Sequence, residues 1–166
     1  MRLGAMGPKR AFTALIFAAG VPLPAWAAGT AKITGIAFVA SSVTGLGSRA
    51  QLPANAKIYA SGTRITGAEG CPTTRYRTDG LIVAVIDYDG PPTAGSLQVT
   101  RHPASGGNFA DAPYYLDINA GRTLQYLGPI FDNGSYDLKL TWGLGQAQNE
   151  QASAGFALAR TCPTPP

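Results

Sequence analysis

Alternate carboxylates followed by a glycine, Asp87-Tyr88-Asp89-Gly90, form the sharpest chemical pattern in this chain of 166 residues. A hard cation such as calcium wants several oxygens on a tight bend, and calcium loops begin in this way. The continuation fails, because Pro91 and Pro92 follow and no glutamate closes the loop. Asp132 and Asn133 would add oxygens only if their turn lay at the same end of the fold. The expected structure is a strand-terminating turn over residues 87–95, with no metal. Asp87, Tyr88 and Asp89 remain candidate ligand contacts, as do Tyr114 and Tyr115. Carboxylates and flat rings suit sugars and protein partners, and of two adjacent strand tyrosines one must point outward.

Nucleophilic catalysis usually needs a histidine base, and the chain has one, His102. It enters a loop in Arg101-His102-Pro103 with Ser105 close by, but no G-x-S-x-G pattern exists. An exposed loop histidine is the expectation. The acids are scattered singly and include only two glutamates, Glu69 and Glu150, a poor basis for the paired carboxylates of glycoside hydrolysis. Gly45-Leu46-Gly47 and Gly106-Gly107 have no helical pattern after them, so neither reads as a phosphate loop. No catalytic residue and no cofactor is expected.

Two cysteines, Cys71 and Cys162, read first as one disulfide closing a loop of about 90 residues. Chain-entropy arguments value such a closure at roughly 4–5 kcal/mol. The rival reading, two thiols or a metal pair, lacks further histidine or C-x-x-C ligands. An oxidising compartment agrees with the first residues. Arg2, Lys9 and Arg10 precede an apolar run at 11–20 (AFTALIFAAG), then Pro22, Pro24 and the small-x-small pattern Ala25-Trp26-Ala27. The run is too short to span a bilayer, so residues 1–27 are expected to be a cleaved signal peptide, with periplasmic or secreted localisation. The whole chain is +4, but with the leader gone 10 basic residues face 9 acidic ones, leaving +1. The basic balance is therefore no footprint for nucleic acid; Arg75-Tyr76-Arg77 is the densest patch left.

The elements that must position these residues are strands. No window beyond the leader sustains helical spacing, whereas short apolar runs bounded by Gly, Pro, Asn and Asp recur. Residues 32–39 (KITGIAFV) read as a strand with a bulge at Gly35, 41–54 as a loop, 56–60 as a short strand, and 61–80 as a polar stretch. Residues 81–86 (LIVAVI) are apolar throughout, the mark of a strand buried on both faces or central in its sheet. Strands at 96–102, 114–118, 122–127 and 154–161 follow, with a long loop at 103–113. One domain over 28–162 and a short Pro-rich tail at 163–166 complete the chain.

The stretch Asp132-Asn133-Gly134 is a turn, and beyond it Tyr136, Leu138, Leu140 and Trp142 alternate with Asp137, Lys139 and Thr141. One face is therefore buried and one wet. Asp132-x-Gly134-x-Tyr136 resembles the corner of an immunoglobulin-like sandwich, where a tyrosine opening a late strand bonds back to the preceding turn. The resemblance covers mainly residues 81–161 and departs from antibody domains, since Leu138 stands where a cysteine would. It implies an all-β, single antiparallel sandwich of seven or eight strands, with Asp132, Gly134 and Tyr136 as a structural corner. The functional expectation is an exported, non-enzymatic binding or structural module of the bacterial cell envelope or extracellular space. Its partner would be an envelope or extracellular protein or a glycan, with no nucleic acid and no membrane span. The alternative is a small carbohydrate- or ligand-binding sandwich module, and a hydrolase comes third.

Overall fold

The computed structural model describes residues 29–39, 51–71, 81–128, 132–144 and 149–163. The leader at 1–27 with its expected cleavage before Ala28, most of the 41–54 loop, the Arg75-Tyr76-Arg77 patch and residues 164–166 lie outside the described residues. Regular structure among the described residues consists of ten strands: β1 (Thr30–Val39), β2 (Ile58–Tyr59), β3 (Arg64–Gly67), β4 (Leu81–Asp89), β5 (Thr93–Pro103), β6 (Phe109–Ala110), β7 (Tyr114–Ile118), β8 (Gly121–Gly128), β9 (Gly134–Trp142) and β10 (Glu150–Arg160). They form a four-stranded sheet, in the order β2-β1-β4-β8, and a second sheet in the order β3-β10-β9-β5. Both β6 and β7 continue the second sheet by pairing with β5.

The two sheets bury one core between them. Ile33, Ile36, Ile82 and Ile86 of the first sheet belong to the same apolar cluster as Leu97, Val99, Tyr136, Leu138, Leu140, Trp142, Phe156 and Leu158 of the second. Period-two stereochemistry accounts for this directly in β9, whose residues alternate between buried and open along the strand. β4 is covered on both sides. Its inner residues Ile82, Ala84 and Ile86 join the main core, while Val83 and Val85 sit in a second cluster with Ala37, Val39 and Leu124. Leu52 and Ile58 pack over that second cluster, which is why a continuous apolar run is stable on this strand.

A bulge lies where Gly35 announces it. The β1–β4 register shifts between Ile33 and Gly35, and a Cβ on Gly35 would stand 2.1 Å from the carbonyl oxygen of Tyr59. Only a residue without a side chain fits there.

Several expectations need correction. Ten strands form, rather than seven or eight, because β3 lies inside the polar stretch at 61–80 and β6 inside the long loop at 103–113. The sandwich is not wholly antiparallel: β3 runs parallel to β10, from Arg64 opposite Ala157 to Gly67 opposite Arg160. The turn expected at 87–95 shrinks to three residues, since β4 runs through Asp89 and β5 begins at Thr93. Cross-strand pairing of Asp87 with Lys32 and of Asp89 with Thr30 holds both aspartates in the extended ladder despite their turn propensity.

β5 and β9 pair over their length, from Gly95 opposite Trp142 to Pro103 opposite Gly134. The turn before Gly134 is thus beside Pro103, while Asp89 and Thr93 mark the other end, about 30 Å away at the rise of an extended strand. Asp132 and Asn133 cannot join Asp87 and Asp89 around one cation.

Candidate ligand-binding groove

The outer face of the four-stranded sheet changes character along β4. Val83 and Val85 are fully buried, with Leu52 and Ile58 packed against their cluster, whereas the next two outward residues, Asp87 and Asp89, are half-buried and exposed, respectively. The neighbouring strands change at the same level, from Leu124 to Arg122 on β8 and from Ala37 to Lys32 on β1. Lys32, Asp87 and Arg122 are direct cross-strand partners, so their side chains share the outer face as one row of alternating charge.

Asp87 is the centre of that row. Arg122 donates Nε to its Oδ1 at 2.7 Å and Nη2 to its Oδ2 at 2.9 Å, the two-pronged geometry that a planar guanidinium favours. The Thr34 hydroxyl donates to Oδ2 at 2.8 Å, Thr34 lying two residues beyond Lys32 on the same face of β1. Arg122 above all, with Thr34 and Lys32 adding to it, holds the Asp87 carboxyl below the ordinary aspartate range. A groove of about 720 Å³ opens here, lined by Thr30, Lys32, Asp87, Tyr88, Asp89, Gly121 and Arg122.

The sequence-derived ligand candidates therefore separate. Asp87 and Asp89 line the groove, but the Tyr88 ring is buried and its hydroxyl donates to the carbonyl of Pro91 at 2.9 Å. Tyr114 is half-buried and donates to the carbonyl of Leu127 at 2.8 Å, tying β7 to β8 of the other sheet; burial pushes its hydroxyl pKa up. Tyr115 points outward from β7 and is 76 % exposed. Phe109, at 57 %, is the other large hydrophobic residue exposed among the described residues. It is opposite Arg101 while Tyr115 is opposite Ser96, so the two leave opposite faces of the sheet and make no common patch. Lys32, Thr34 and Arg122 were missed from sequence. Nothing local distinguishes them from other polar residues on the wet face of a strand.

At the far end, the corner stretch is engaged throughout. Tyr136 is fully buried, stacks on Phe156 with centroids 5.1 Å apart, and donates its hydroxyl to the backbone carbonyl of Asp132. Burial pushes that hydroxyl up to about 12. Asn133 closes a ring with the backbone of Arg160, donating Nδ2 to its carbonyl and accepting its N–H, each at 2.9 Å. Cys71 and Cys162 form a disulfide with Cα atoms 5.4 Å apart, just past β3 and β10. His102 is held between two oxygens, Asn108 Oδ1 at 2.8 Å from Nδ1 and Asp137 Oδ2 at 2.9 Å from Nε2. The bond to Asn108 first, and that to Asp137 second, raise its pKa above the ordinary histidine value.

Compared with known proteins, the chain matches no family model, and no curated protein and no solved structure proves similar to it.

Proposed function

We propose that this chain is an exported, immunoglobulin-like sandwich serving as a non-enzymatic binding or structural module of the bacterial cell envelope or extracellular space. The observation that carries this reading is strand order. β1-β4-β8 follows the order A-B-E of one immunoglobulin sheet, and β10-β9-β5-β7 follows G-F-C-C′ of the other. Tyr136 then stands near the start of the F-like strand and bonds back four residues upstream, as a corner tyrosine does. The disulfide departs from the antibody pattern by tying the ends of β3 and β10. Its presence supports export into an oxidising compartment, in line with the leader-like residues 1–27.

Intact mass of the exported protein tests the compartment, with Ala28 as the expected first residue; a retained leader removes the argument for export. Cross-linking in intact cells tests the activity. One stoichiometric envelope or extracellular partner is expected, and a chain that cross-links to nothing overturns this reading. The second reading, a small-ligand module, is favoured by the groove around Asp87.

A further inference from the structure

Among the described residues, the shallow groove at the end of β4 brings together both signs of charge. Two carboxylates, Asp87 and Asp89, face two cations, Lys32 and Arg122, across three adjacent strands. We infer that this groove takes a neutral polyhydroxylated ligand, a sugar, whose hydroxyls bridge the carboxylates and the cationic donors; the inference rests on the small-ligand reading above.

Charge balance selects the class. An anion would have to compete with Asp87 for the Arg122 fork while being repelled by Asp87 and Asp89. A metal ion drawn to Asp87 and Asp89 would be repelled by Lys32 and Arg122, which line the same groove. Neither gains net attraction from a groove whose four charges, two acidic and two basic, cancel. A hydroxyl group both donates and accepts, so it can add to the row without breaking the Asp87–Arg122 pair. Only two of the five guanidinium N–H donors are spent on Asp87. Thr34 and the fork together leave the Asp87 carboxylate ionised and fixed in orientation, a preorganised acceptor.

The width of the row suits a sugar ring. Adjacent strands are about 4.8 Å apart, so the row across β1, β4 and β8 spans roughly 10 Å, enough for one pyranose. Gly121, where a Cβ would meet nothing within 4 Å, leaves the β8 side of the groove without a wall. The Tyr88 ring is turned into the core and offers no stacking face here, so binding should be weak, with dissociation constants on the order of 1 mM.

The test is an amide NMR titration of the exported, disulfide-bonded chain with glucose, galactose, mannose and N-acetylglucosamine, and separately with galacturonate, sulfate and calcium. At least one neutral sugar should give saturable shifts at Lys32, Asp87 and Arg122. Asp89→Asn and Arg122→Gln should each weaken that binding at least tenfold, while Lys139→Gln, on the outer face of the other sheet, leaves it unchanged. The variants' own spectra report whether they fold, and Asp89→Asn alone suffices should Arg122→Gln not. Shifts at the groove from galacturonate, sulfate or calcium but from no neutral sugar overturn the ligand class and leave the small-ligand reading standing. No groove shifts from any of these probes overturn both.

Discussion

The two ends of the sandwich satisfy their buried polar side chains alike but use their surface charges differently. At the end holding Asp132, polar groups are spent on one another and on the backbone: Tyr136 on Asp132, Asn133 on Arg160, Arg101 on Asp111, and a disulfide beside them. At the end holding Asp89, the buried polar groups do the same, with the Trp142 indole N–H donating to the Gly29 carbonyl at 2.8 Å. The difference is at the surface, where Lys32, Asp87, Asp89 and Arg122 are left lining a groove. A protein end locked by buried bonds is suited to hold a fold. An end whose charges are paired only at the surface is cheaper to engage and is where a ligand can add contacts.

Substitutions at the two ends should therefore differ most in stability. Tyr136→Ala removes a fully buried ring stacked on Phe156 and should cost roughly 3–5 kcal/mol in a denaturant melt. Tyr136→Phe loses only the bond to Asp132 and should cost about 0.5–1.5 kcal/mol. Thr141→Ala, on the outer side of the same strand, should stay within about 0.5 kcal/mol. A mild Tyr136→Ala beside a costly Thr141→Ala would break the comparison at its strong end.

Cys71→Ser opens the covalent clamp on β3 and β10 and should cost roughly 2–5 kcal/mol, leaving Cys162 open to alkylation. An unchanged midpoint would mean that the parallel β3–β10 pair holds without it.

At the groove end, Arg122→Gln removes an exposed ion pair and should change stability by no more than about 1 kcal/mol. A larger loss would make the charged row part of the scaffold. The pair also has a pH signature. The lowered Asp87 pKa means that its contribution is present above the unfolded value and lost as pH falls through the folded one.

The smallest effect is at His102, the chain's only histidine, so its ring signals can be followed without ambiguity. Its pKa is raised, so any stabilisation is fully present below about 6.5 and is lost as pH rises through the folded value. Its NMR titration midpoint should lie above 6.5, and Asp137→Asn should lower it. A midpoint that ignores Asp137 would remove the contact across β5 and β9 from the locked end.

Local stereochemistry made much of this legible in advance. Side chains alternate across any strand, so the buried face of β9 could be read from Tyr136, Leu138, Leu140 and Trp142 alone. The absence of alternation in residues 81–86 likewise marked β4 as covered on both sides, and an even cysteine count without further metal ligands marked the disulfide. What no local pattern carried was which strands meet. β3 is four residues long and becomes a strand where β10 offers it a parallel edge and the core takes in Ile65. The aspartates at 87 and 89 carry turn propensity and are nonetheless held extended by β1 and β8. Lys32, Asp87 and Arg122 form one charged row although 55 and 35 residues separate them in sequence. Period and propensity are properties of neighbours along the chain, whereas register between distant strands depends on how the apolar faces of both sheets are buried together.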